Sequence, residues 1–289
     1  MTSDISLIGF GEAGSTFAVA GGWGVRARAY DRDPARAEVM RRSNIVRCDS
    51  IADALRDAGL IVSLVTADQS IAVARDAAAL LSPGAIFCDM NSVAPQTKQA
   101  AAQAIEAMGG HYVDVAVMAP VDPAWLAVPL LLSGGQAAEA EAWLKSLGFS
   151  KTRVVGADVG RASAIKMIRS VMVKGIEALT AECMLAAAKA DVLEEVLASL
   201  DASERPRPWD ARADYNLDRM LVHGTRRAAE MEEVVKTLEG LGTGAAMTHG
   251  TVERQRTIGA LGVKAPPEGL VMKIGRIAAQ SDARVEAPS

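Results

Sequence analysis

The sequence predicts an α/β fold, a doubly wound and mainly parallel sheet followed by an all-α C-terminal domain. Two observations carry this. Up to about residue 157, short apolar runs alternate with Ala-rich helical stretches, the pattern of strands covered on both faces by crossover helices. After Gly160 the alternation stops, and residues 161–190 run in helical period with Gly175 as the one glycine and no proline. The strands read in order as 5–9, 26–30, a brief 45–47, 60–65, 85–89, 111–115 and 129–133. Helices are expected between them at 34–43, 51–58, 70–81 and 95–108. The helical half continues with 192–200, 215–241, 248–261 and 267–279. It is broken at 205–208, 240–244 and 265–267, where Pro and Gly cluster. Residues 281–289 read as a frayed end. The domains are therefore set at 1–157 and 158–289.

The first strand leads straight into Gly9-Phe-Gly-Glu-Ala-Gly14. Three glycines at this spacing say little alone. Between a strand and a helix they specify the phosphate turn of a Rossmann dinucleotide site. Gly9 permits the tight turn, Gly11 lets the backbone approach a pyrophosphate, and Gly14 lets helix and strand pack closely. The next strand ends in Asp31, about 20 residues on, where a carboxylate holds the ribose hydroxyls. The expected cofactor contacts are Gly9, Phe10, Gly11, Glu12, Ala13 and Gly14 in the turn and Asp31 and Arg32 at the ribose. Val65, Thr66 and Asn91 follow, at the ends of later strands. Asp31 favours NAD over NADP, and Arg32, able to cover a 2′-phosphate, pulls the other way. NAD is narrowly preferred.

Composition bounds the alternatives. A formal charge of −4 with no basic block leaves no electrostatic footprint for nucleic acid. Cys48, Cys88 and Cys183 are odd in number and far apart, which speaks against a disulfide framework or zinc site and suits a reducing cytoplasm. The first apolar run is read as the nucleotide-binding strand, not as a signal peptide. The most apolar stretch, 113–132, contains Asp114, Asp122 and three prolines and would make a poor membrane helix. His111 and His249 have no metal-ligand company, so no metal is expected.

Chemistry is expected at two places. Asn91 and Ser92 follow the 85–89 strand, at a carboxyl end where open parallel sheets bind ligands. They can contact ribose, nicotinamide or substrate, or simply cap the next helix. In the long helix, Ile165, Ile168, Met172, Ile176 and Leu179 form an apolar stripe. Lys166, Arg169, Ser170, Lys174 and Glu177 lie along an adjacent one. Two cations three residues apart, early in a helix, gain nothing from the helix dipole. They make sense facing a cleft that needs an acid–base or an anion site, since a neighbouring cation and partial burial both disfavour an ammonium. The other reading is a solvated face with a Lys174–Glu177 pair. His223 and Arg227, four apart on a predicted helix beside Arg226, can bind a substrate anion or form surface charge paired with Glu230.

The glycine motif, Asp89-Met-Asn-Ser-Val-Ala-Pro95, Asp114 with its apolar continuation, and Gly160 six residues before Lys166 together resemble the β-hydroxyacid dehydrogenases. These are relatives of 6-phosphogluconate dehydrogenase and 3-hydroxyisobutyrate dehydrogenase. The resemblance covers the Rossmann half and the interdomain helix. It implies that Lys166 is the catalytic acid–base and that Ser92 lies near nicotinamide or substrate. Two departures stand out. Met118-Ala119-Pro120 occupies the place of the family's Ser-Gly-Gly, and Arg169 and Ser170 stand where the family has Asn. The C-terminal half looks like the uncharacterised helical domain of a bacterial subgroup.

The expected function is hydride transfer between a nicotinamide and a small hydroxy-acid-like substrate or its carbonyl form. Lys166 serves as acid–base, and Ser92, Met118, Arg169, Ser170, His223 and Arg227 lie around the substrate. Imine reduction on the same fold and a non-catalytic nucleotide sensor or scaffold are the alternatives. A homodimer through the helical half is expected as well, because the long helix carries more apolar stripe than one small domain covers.

Overall fold

The computed structural model describes residues 5–203 and 206–285. Asp4, at the head of the first apolar run, part of the break at 205–208, and 286–289 of the terminus lie outside the described residues. The chain divides into two compact units, Met1–Val171 and Met172–Ser289.

In the first unit, β1 (Ile5–Ile8), β2 (Ala27–Tyr30), β3 (Val46–Arg47), β4 (Leu60–Ser63), β5 (Ile86–Asp89), β6 (His111–Val117), β7 (Leu130–Ser133) and β8 (Thr152–Gly156) form one sheet. Its order is β3-β2-β1-β4-β5-β6-β7-β8. All pairs are parallel except β6 with β7. The crossover from β3 back to β4 puts β1 beside β4 and leaves a crevice above their carboxyl ends, the switch point where such sheets bind ligands. The helices are α1 (Glu12–Ala20), α2 (Arg36–Arg42), α3 (Ile51–Leu55), α4 (Ser70–Ala78), α5 (Pro95–Ala107) and α6 (Ala137–Ser146).

Successive strand residues feed two cores, as a period of two requires. Leu7, Val62, Cys88 and Val113 face Phe17, Met40 and Leu144 of α1, α2 and α6. Ile8, Ile61, Phe87 and Tyr112 face Leu55, Ala77 and Ile105 of α3, α4 and α5. Small side chains on α4 and α5 (Ala74, Ala77, Ala101, Ala102) let these helices lie close to the sheet.

Two elements here are additions to the sequence expectation. β8 is half exposed along its length, so it lacks the continuous apolar run that marks the interior strands. α6 follows β7 within the Ala-rich 137–146 segment. The long helix α7 (Arg161–Lys189) begins in the first unit. Ala162 and Ile165 pack with Ala116, Leu131, Met118 and Val155. This packing carries the compact unit past residue 157, so its boundary falls inside a helix.

The second unit holds the rest of α7 with α8 (Leu193–Ser203), α9 (Trp209–Leu241), α10 (Ala246–Gly259) and α11 (Leu270–Val285). α9 starts at Trp209, not 215, because Pro208 occupies its N-cap, where a missing N–H is harmless. α11 continues through Val285, so the fraying expected from 281 is not seen up to that residue. α9 and α10 cross at Gly224 and Gly259. A Cβ on Gly224 would lie 2.8 Å from the Gly259 Cα, and only glycine permits that approach. Glu182 of α7 accepts from the amides of Met247 and Thr248 and so caps α10, whose own N-cap, Ala245, offers no side-chain acceptor. Ala186, Ala228, Val235, Leu238 and Val252 form a small core.

No helix among the described residues is long and apolar enough to cross a membrane.

Candidate active site

The phosphate turn follows from its glycines. Gly9 has φ +94°, and a Cβ there would stand 2.7 Å from the Leu64 carbonyl carbon. Gly14 lies under the turn, where a Cβ would meet the Gly9 carbonyl oxygen at 2.7 Å. Gly11 is the reverse case: a Cβ would meet nothing within 4 Å. The space above it is open. Gly11 is also the N-cap of α1 and supplies no side-chain acceptor, so the first-turn amides around Glu12 and Ala13 stay available to an anion. A dinucleotide pyrophosphate fits this cradle.

Asp31 holds the turn in place. Its Oδ2 accepts from the Phe10 amide at 2.6 Å and its Oδ1 from the Asp33 amide at 2.8 Å. Phe10 itself is fully buried. From the turn a groove of about 250 Å³ runs past Gly9, Gly11, Asp31, Arg32, Arg36, Val65 and Thr66. Six of the expected cofactor residues therefore line one groove. Arg36, which sequence reasoning missed, joins them from the start of α2 and lies 3.5 Å from Asp33. Its spacing of four from Arg32 was the available signal.

Asn91 plays a connecting part. Its Oδ1 accepts from the Val65 amide at 2.7 Å, and its Nδ2 donates to Ser63 and Ser70 hydroxyls at 3.0 and 3.3 Å. Both amide hydrogens are thus committed to protein, and the residue ties the end of β4 to that of β5. Ser92, next in sequence, is exposed. It does not cap α5, whose N-cap is Ala94.

Lys166 comes to Ser92: its Nζ donates to the Ser92 Oγ at 2.6 Å. One turn later, Arg169 Nη1 donates to the Met118 carbonyl at 3.4 Å. Ser170 Oγ turns back onto the Lys166 carbonyl at 2.9 Å, a bond within its own helix. Lys166, Ser92, Arg169 and Met118 therefore converge where β5 and β6 end. His223 and Arg227 belong to the second unit, each half-buried on α9. There Arg226, not Arg227, pairs with Glu230 at 2.5 Å.

Beneath the exposed site lies a polar cluster that spacing did not reveal. Lys98, Asp89 and Asp114 are all completely buried, with Lys98 Nζ 2.9 Å from Asp89 Oδ1 and 3.5 Å from Asp114 Oδ1. The Tyr112 hydroxyl donates to Asp89 Oδ2 at 2.6 Å. Burial and the Asp89 charge push the Tyr112 phenol far above its ordinary pKa, so it remains a donor. The one sequence signal was a lysine on the apolar face of α5, in phase with Ala101, Ala102 and Ile105. Among the described residues no group of three or more His, Cys, Asp or Glu side chains is placed to hold a metal.

Comparison with known proteins agrees with this geometry. Residues 4–156 match the NAD binding domain of 6-phosphogluconate dehydrogenase. Residues 187–258 match a domain of unknown function, DUF1932. A conserved hypothetical protein from Sinorhizobium meliloti 1021 is 37% identical over 97% of each chain, with a TM-score of 0.60. A conserved protein of unknown function, described as structurally similar to 3-hydroxyacid dehydrogenases, is 25% identical over 99% of each chain, with a TM-score of 0.57. An imine reductase from Myxococcus stipitatus, solved in complex with NADP+, has a TM-score of 0.73 at 19% identity, over 95% of this chain and 99% of that one. At that identity the likeness is one of fold. With its phosphate turn, sheet order and more than half of its length accounted for in this way, the chain belongs to the family of the NAD binding domain of 6-phosphogluconate dehydrogenase and is an NAD(P)-dependent oxidoreductase.

Proposed function

We propose that the chain interconverts a small hydroxy acid and its keto acid, with Lys166 moving the proton. The observation that carries this is the 2.6 Å contact between Lys166 Nζ and Ser92 Oγ at the carboxyl end of β5. A nicotinamide dinucleotide held at the Gly9–Gly14 turn would supply the hydride chemistry. The side chains do the rest. As a C–OH carbon becomes a carbonyl, its hydroxyl proton passes to the Lys166 amine, and in reduction the Lys166 ammonium returns it to the oxygen. Ser92 holds Nζ in place, and Arg169 supplies the charge that a carboxylate requires.

The cofactor reading tilts toward NADP. Asp31 already accepts two backbone amides, while Arg32 and Arg36 both line the groove.

The functional unit is proposed to be a homodimer formed through the helical unit. On α7, Met172, Ile176 and Leu179 share one face and are 47, 45 and 45% exposed. A contiguous apolar stripe of this kind on a soluble helix marks an interface.

Turnover of hydroxy acids, keto acids and cyclic imines with both cofactors tests the reaction. Lys166→Met should lower kcat by about 100-fold or more, the scale of lost general acid–base catalysis. Lys166→Arg should not restore it, because guanidinium hardly releases a proton. Normal turnover by Lys166→Met with a dead His223→Ala would overturn the assignment. Activity confined to imines would move the substrate from C–OH to C=N. Tight cofactor binding with no turnover of any of these would favour the sensor alternative.

A further inference from the structure

We propose that the buried Asp89–Lys98–Asp114 bridge is a positioning device that sets the Ser92–Lys166 contact. This rests on the reading of Lys166 as the proton-transfer group. Lys98 sits in the first turn of α5, nine residues after Asp89. Its Nζ donates to the Asp89 carbonyl at 2.6 Å and to its Oδ1 at 2.9 Å. The same Oδ1 accepts from the Asn91 amide at 2.8 Å. Lys98 thus closes the turn that displays Ser92.

The other support is the start of α7. Asp114 Oδ2 accepts from both the amide and the hydroxyl of Ser163 at 2.9 Å, and the Ala162 amide donates to Ser133 Oγ at 3.0 Å. Strand side chains therefore cap α7 three residues before Lys166. Among the described residues none donates a hydrogen bond to Asp114 Oδ1; the charge of Lys98, 3.5 Å away, holds it. One buried ammonium serves both supports, one under Ser92 and one under Lys166. A purely structural ion pair has no reason to choose these two backbone segments. Three buried charges are expensive, and an apolar side chain at position 98 would continue the helix face of Ala101 and Ile105.

The test labels lysines in the native protein with acetic anhydride and reads each site by mass spectrometry. Lys145 and Lys236, both exposed, serve as internal standards. In Lys98→Met the Lys166 rate should rise about tenfold or more relative to those standards, as expected when a hydrogen bond to a charged group opens. General loosening of the fold would instead also open Cys88, a fully buried free thiol in the same unit, to iodoacetamide. Should Lys98→Met fail to fold, Asp114→Asn carries the test, since it keeps the shape and leaves Lys98 neutralised by Asp89. It should raise the same ratio. An unchanged ratio in a folded variant, or a rise accompanied by labelling of Cys88, overturns the proposal. The labelling needs no turnover, so its failure would leave the oxidoreductase reading intact, and inactive substrates would leave this inference intact.

Discussion

The three glycines of the phosphate turn should respond differently to a side chain, and the differences can be worked out in advance. At Gly11 a Cβ meets nothing within 4 Å. Gly11→Val should therefore leave the fold within about 1 kcal/mol of the parent, the scale of a poorer N-cap residue. Its branched carbons would occupy the path of the pyrophosphate. Losing two hydrogen bonds to a charged group costs about 3–6 kcal/mol, or about 100- to 10,000-fold in affinity. Gly9→Ala acts on the fold instead. Its positive φ costs an alanine about 1–2 kcal/mol, and the contact with the Leu64 carbonyl adds about 1–3 kcal/mol of overpacking. Melting of the first unit should fall by on the order of 10 °C.

Gly14→Ala lies between them. Overpacking against the Gly9 carbonyl oxygen costs about 1–3 kcal/mol, offset by about 1 kcal/mol of helix propensity. Calorimetric titration with NAD(H) and NADP(H), paired with thermal unfolding of each variant, reads all three. A folded Gly11→Val that binds either cofactor with parental affinity would refute the site. A Gly9→Ala as stable as the parent would refute the turn geometry.

Asp31→Ala should weaken both cofactors, because it releases the Phe10 amide as well as any ribose contact, whereas Arg32→Ala should lower the kcat/KM ratio of NADP to NAD. If Asp31→Ala leaves NADP affinity untouched, the carboxylate does not hold the turn. Sedimentation at increasing concentration should give a dimer mass, and Ile176→Glu should shift it toward monomer. A concentration-independent monomer would refute the interface.

What could be read from the sequence was local. The Gly9–Gly14 turn, the acid ending β2 and the polar turn after β5 depend on residues close together in the chain, so spacing alone declares them. The helix stripe offered Lys166 as one of two readings, but its contact with Ser92 had no trace in the sequence, because the two lie 74 residues apart and no periodicity links them. The Lys98 bridge joins α5, β5, β6 and α7, and its one local trace is a lysine on an otherwise apolar helix face. β8 escaped notice because it is half exposed along its length and carries no continuous apolar run. The sequence sets the start of α9 late, at 215, because Pro208 reads as a break, whereas in the structure it is the residue that precedes the helix. The unit boundary inside α7 has no compositional mark at all, since one helix simply leaves the sheet.

The segment after β6 is where this chain departs from the resembled family, and the departure makes a prediction. Where the resembled family presents Ser-Gly-Gly, this chain has Met118-Ala119-Pro120. The Met118 amide donates to the Pro129 carbonyl at 2.9 Å, and Pro120 has no amide hydrogen. Two of the three backbone donors that could receive a carboxylate are therefore absent or already used. What the segment offers is the Met118 carbonyl, and that oxygen accepts from Arg169 at 3.4 Å, a long bond that a stronger acceptor would displace. On the proposed function, Arg169 is then the fixed cation left to hold a substrate carboxylate. Arg169→Gln should then raise KM for hydroxy or keto acids by about 10- to 100-fold, the worth of a hydrogen bond to a charged group. It should leave kcat within a few-fold, because the carboxylate is held alike in ground and transition states. Arg169→Lys should recover part of the loss, since an ammonium keeps the charge without the bidentate fork. Equal KM values for Arg169→Gln and the parent on every acid tried, with turnover intact, would show that the anion is held elsewhere.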